Sequence, residues 1–100
     1  MSILHTVNKS PFQKNDLSSC LAHANAGDAV LLIEDGVYGA VSGTEIAKSV
    51  SGADASIYVL GGDLSARGIS EDKITDGITV VGYDGFVDLA AEHQAVNSWL

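Results

Sequence analysis

AVLLIE, Ala29 to Glu34, is the stretch that decides the fold. Its first five residues are apolar without a break, and they form the longest such run in the chain. A strand with one wet face alternates apolar and polar residues. A strand buried on both faces does not, and unbroken aliphatic runs are what a parallel sheet covered on both sides requires. Three further β-rich runs stand around it: Ser2 to Val7, SIYVL at Ser56 to Leu60, and GITVV at Gly77 to Val81.

The segments between these runs read as helices. Asn15 and Asp16 are candidate N-caps for a helix of about ten residues. Leu17, Leu21 and Ala24 line one face of it, and Gly27 is placed to take a left-handed conformation after its end. Thr44 to Val50 predicts a second helix, closed by Gly52, and Asp63 to Arg67 a short third, followed by Gly68. Phe86 to His93 predicts a fourth, which the pattern allows to run on to Trp99. Strand and helix alternate at the spacing of right-handed βαβ crossovers. The expected fold class is α/β: a small three-layer α/β/α parallel sheet of flavodoxin-like order, forming a single domain over residues 1–100. A ferredoxin-like α+β sandwich is the alternative, and it fits less well because no hairpin turn joins successive strands.

Composition narrows the function. Thirteen carboxylates face five Lys and Arg, for a formal charge of −8. Lys9, Lys14, Lys48, Arg67 and Lys73 are scattered and make no patch. Such a surface repels nucleic-acid phosphates and anionic membranes, so neither is an expected partner. No basic start followed by an apolar stretch marks a secretory leader. A lone cysteine, Cys20, has no internal disulfide partner. The cytoplasm is the expected compartment.

Sites in open parallel sheets gather at the carboxyl ends of the strands. Here those ends carry the loops Asn8 to Asp16, Glu34 to Gly39, Gly61 to Gly68 and Gly82 to Gly85, which supply Glu34, Asp35, Asp63 and Asp84. That rim is hostile to phosphate, and Gly61-Gly62 followed by Asp63 is not a dinucleotide fingerprint. No nucleotide, flavin or other cofactor is expected. A metal could be drawn only from His5, Asp35 and Asp63, whose spacing is not that of a zinc motif. His5 lies inside the first strand, where a satisfied histidine beside the core is the expected role. His93 lies near the end of the last helix, where a cation suits the helix dipole. No GxSxG turn presents a serine nucleophile.

Cys20 is the candidate reactive group. It stands at helical spacing between Leu17, Leu21 and Ala24, and it borders the polar side that holds Ser19 and His23. Two roles are open to it. It is a small buried hydrophobe, or it lies at the edge of the core with a reachable sulfur, its thiolate favoured by the helix dipole and by His23 and opposed by Asp16. The terminal pair Trp99-Leu100 either folds back on the sheet or docks in a neighbour. Tyr38 and Phe86 are further aromatic candidates for an interface.

Four ordered blocks carry a family resemblance: LHTVNKSPF at Leu4 to Phe12, LLIEDGVYGA at Leu31 to Ala40, YVLGGDLSARG at Tyr58 to Gly68, and YDGFVDL at Tyr83 to Leu89, with Trp99-Leu100 at the close. Together they resemble the DsrH/TusB family from end to end. The resemblance implies a flavodoxin-like fold without flavin. It implies the smallest subunit of a cytoplasmic heterohexamer built from three homologous subunits, so that the partners would be a DsrE/TusD-like and a DsrF/TusC-like chain and a downstream sulfur-acceptor protein. Such complexes pass sulfur as a cysteine persulfide, the TusBCD branch for wobble-uridine 2-thiolation in tRNA and the DsrEFH branch for dissimilatory sulfur oxidation. In both, the principal sulfur-carrying cysteine is on the larger subunit. A cysteine on the first helix resembles the DsrH side, and it makes Cys20 the candidate catalytic residue of a relay. The competing reading is a scaffolding subunit in which Cys20 only packs.

Overall fold

The computed structural model describes residues 2–99. The chain alternates strand and helix: β1 (Ile3–Val7), α1 (Asp16–His23), β2 (Ala29–Leu32), α2 (Glu45–Ser51), β3 (Ser56–Leu60), α3 (Gly61–Ala66), β4 (Thr79–Val81), α4 (Tyr83–Glu92) and β5 (Ala95–Trp99). Two 3-10 segments, Glu34–Ala40 and Glu71–Lys73, fill the connections before α2 and before β4. All five strands are parallel, in the order β4-β3-β2-β1-β5. The three-layer parallel architecture is the one the aliphatic runs predict. The strand order differs from the 2-1-3-4-5 order of flavodoxin, since the chain steps outward from β1 to β4 and only then returns to place β5 on the far side of β1.

That single return settles how the two faces are covered. Right-handed crossovers that step in one direction put their helices on one side of the sheet, and the return step puts its helix on the other. Accordingly, Leu17 and Cys20 of α1, Val50 of α2 and Leu64 of α3 pack with Val7, Val30, Leu32, Ile57 and Val59 in one core. Only α4 covers the opposite face, where Leu89, Phe86 and Ala90 meet Leu4, Ala29, Leu31 and Tyr58. All four residues of β2 are buried, as its unbroken apolar run demands.

β5 corrects the sequence reading, which allowed the last helix to run on to Trp99. The helix stops at Glu92, and AVNSW is a strand paired with β1 in register from Ile3↔Ala95 to Val7↔Trp99. Val96, Asn97 and Ser98 are exposed, so this edge strand lacks the aliphatic content that marks the central ones. Leu100 lies outside the described residues.

Two turns show why their residues are needed. Ile33 N–H donates to Val7 O at 3.0 Å, and Glu34 then takes a left-handed φ of 49°. This brings Gly36 so close to β1 that a Cβ there would lie 2.0 Å from the Val7 carbonyl oxygen. At the end of α3, Gly68 has φ 68°. Its N–H donates to Ser65 O while Ile69 N–H reaches back to Leu64 O, a Schellman cap that also seats Ile69 against the core beside Leu64.

Candidate functional site

Cys20 occupies the middle of α1, and the face of α1 that holds it is turned to the sheet. Its relative exposure is 0%, among Leu17, Val7, Val30 and their neighbours. The thiol is pushed up to about 12, first by burial and second by the negative charge of Asp28. Of the two roles open to Cys20 in the sequence, the geometry of this chain is that of the buried one. His23, the group expected to favour a thiolate, is exposed at the end of α1, with its Nδ1–H donating to Ser19 O at 2.8 Å.

A polar cluster lies in the same layer. Asp28, just ahead of β2, is buried and accepts from Ile3 N–H at 3.0 Å, Asn25 N–H at 3.0 Å and the His5 ring at 3.1 Å. These donors hold its carboxyl below the ordinary carboxylate range: the Asn25 amide contributes most, ahead of His5 and Ile3, and together they outweigh the desolvation that acts the other way. His5 is the satisfied histidine the sequence predicts, 3% exposed, with Nε2 toward Asp28 and Nδ1 toward Trp99 Nε1 at 3.1 Å. Trp99 folds back onto its own sheet, half-buried against the α1–α3 core and tilted against the His23 ring at 5.8 Å. Asp28 does not stand out in the sequence as a site residue. Its one signal there is a lone acid abutting the most apolar strand, where an unpaired charge is costly and a set of donors is therefore required.

The carboxyl-end rim is tied together by its own members. Glu34 N–H donates to Asp63 Oδ2 at 2.6 Å, and Asn8 Nδ2 donates to Glu34 Oε2 at 3.2 Å. Arg67 Nε donates to Asp35 Oδ1 at 2.9 Å and Nη1 to the Asp63 carbonyl at 3.3 Å. Asp84 stands apart on the first turn of α4. His5, Asp35 and Asp63 are not brought together, and among the described residues no group of three His, Cys, Asp or Glu could hold a metal ion. His93 caps α4, its Nδ1–H donating to Leu89 O at 2.7 Å. Tyr38 and Phe86 are half-buried, while among the described residues the large apolar side chains left in water are Phe12, Tyr83, Val87 and Val96.

Comparison with known proteins identifies the family. The family model described as "DsrH like protein" matches residues 9–96. The chain belongs to the DsrH/TusB family. Protein TusB of Erwinia tasmaniensis is 41% identical over 97 residues, which is 97% of this chain and 100% of that protein. Protein TusB of Yersinia pestis is 39% identical and that of Pectobacterium parmentieri 35%, over the same shares. Among solved structures, the ychN protein from E. coli superimposes with a TM-score of 0.82 over 98% of each chain at 14% identity, a likeness of fold alone. A Thermotoga maritima protein determined by NMR gives a TM-score of 0.68 at 26% identity, covering 92% of this chain and 93% of that one. Among the described residues no helix is long and apolar enough to cross a membrane.

Proposed function

We propose that this DsrH/TusB-family chain is the small subunit of a cytoplasmic sulfur-relay assembly that serves wobble-uridine 2-thiolation, and that its own contribution is structural. It completes a heterohexamer with a TusD-like and a TusC-like subunit, and the persulfide is carried on the larger partner before passing to the downstream acceptor. The observation that carries this reading is the burial of the Cys20 sulfur. A persulfide is attacked by thiolate, and a thiol pushed up to about 12 inside a core offers neither the charge nor the access. The run of TusB relatives supports the tRNA branch over sulfur oxidation. Tyr83, Val87 and Val96, exposed on the face that α4 alone covers, support a chain that works inside an assembly.

The test is co-expression with a TusD-like and a TusC-like subunit, followed by light scattering and a sulfur-transfer assay on the purified complex. A hexamer whose Cys20→Ala version transfers sulfur to within about twofold of the parent is expected. A sulfur adduct on Cys20 within the assembled complex, detected by mass spectrometry, with transfer abolished in Cys20→Ala, would replace the structural role with a relay role in which α1 opens. A chain that stays monomeric beside those subunits overturns the assembly itself.

A further inference from the structure

The hydrogen bonds around His5 specify where its protons are. An indole N–H only donates, so His5 Nδ1, 3.1 Å from Trp99 Nε1, holds a lone pair. The ring proton is then on Nε2 and is donated to Asp28 Oδ2. Asp28 is fixed in turn by two backbone amides, and it keeps its negative charge through the range in which imidazoles titrate. A second proton on His5 has one place to go, Nδ1. There it sets an N–H donor against the Trp99 N–H, and the hydrogen bond between them ends. The charge so created is met by the Asp28 carboxylate 3.1 Å from Nε2. Protonation is therefore compensated on one side of the ring and breaks a contact on the other.

The contact it breaks is the side-chain tie between β1 and the last residue of β5 at their Val7↔Trp99 end. The groups facing His5 are few. α1 brings Cys20, which stays a neutral thiol, and His23, whose ring lies 5.8 Å from that of Trp99. The β2 side brings Asp28 and no ionisable side chain from Ala29 to Leu32, and β5 brings none from Ala95 to Trp99. We propose that His5 is a proton-operated latch on the edge strand: neutral, it holds the Trp99 indole to the sheet, and protonated at Nδ1 it releases the indole and loosens the carboxyl end of β5.

Trp99 is the chain's only tryptophan, so one indole N–H resonance and one emission band report on the latch. The intact chain is titrated from about pH 8 to about pH 5.5, the span of imidazole ionisation, with far-UV circular dichroism recorded alongside. The expected result is a one-proton transition in which the Trp99 Nε1–H resonance moves upfield and the emission shifts while the dichroism holds. His23→Gln keeps that transition, His5→Gln removes it, and Asp28→Asn moves it toward acid. An indole resonance that does not respond in the parent chain overturns the proposal. So does a transition that persists in His5→Gln or vanishes in folded His23→Gln. If His5→Gln fails to fold, the Asp28→Asn shift decides, and a midpoint unmoved there overturns it.

Discussion

The two faces of the sheet are covered unequally. On one, α1, α2 and α3 close over a core that holds Leu17, Cys20, Val30 and Leu32 at 0% exposure, together with the His5–Asp28 pair. On the other, α4 is alone, Leu89 is its one buried residue, and Tyr83, Val87 and Val96 are left in water. Crossover direction, more than composition, distributes stability here. Three steps outward stack three helices on one side, and one step back supplies one helix to the other. The crowded face can then hold a buried charge and a buried thiol, while the sparse face retains apolar surface that the isolated chain cannot cover.

The largest effects lie on the crowded face. Leu17→Ala is expected to cost about 4 kcal/mol in denaturant unfolding and Leu89→Ala, on the sparse face, about 2 kcal/mol, since a site at the rim of a thin layer collapses more easily around the void. Equal losses would break the contrast. Cys20 sharpens it at a smaller scale. Cys20→Ala leaves a small cavity and should cost about 1 kcal/mol, whereas Cys20→Ser buries a hydroxyl without a partner and should cost about 2 kcal/mol. The reverse order would mean that the sulfur is reachable by water.

Titration probes the same face from both ends of the pH scale. The Cys20 thiol is raised in the folded chain, so above its ordinary value of 9.0 the unfolded chain loses a proton that the native one keeps up to about 12. Stability therefore falls as pH rises through that window, and the part due to Cys20 is absent in Cys20→Ala. The Asp28 carboxyl is lowered. Its contribution is present above the ordinary carboxylate range and is lost as pH falls through its depressed native value, so the stability gap between the parent and Asp28→Asn should be wide at neutral pH and close in acid. Smallest of all, Val87→Ser and Val96→Thr should change the stability of the isolated chain by less than about 0.5 kcal/mol, while weakening association with the homologous subunits. Loss of fold in either would assign the sparse face to the chain's own core.

Part of this fold is written in local pattern. β2 announces its burial on both faces because five apolar residues in a row leave no wet side. The helix C-terminus at Gly68 is legible because a left-handed turn favours glycine. The family is legible because four blocks recur in order along the chain. The rest depends on contacts across the fold. AVNSW is a strand because β1 offers it an edge, and nothing in five mixed residues says so. Cys20 is buried rather than reachable because Val7 and Val30 come under α1, which helical spacing alone could not choose between. Asp28, His5 and Trp99 lie 23 and 94 residues apart in pairs and become one network only when the parallel register sets β2 and β5 on either side of β1. A pattern of period two or 3.6 reports which way a side chain points. What it meets there is fixed by the order in which distant strands are laid side by side.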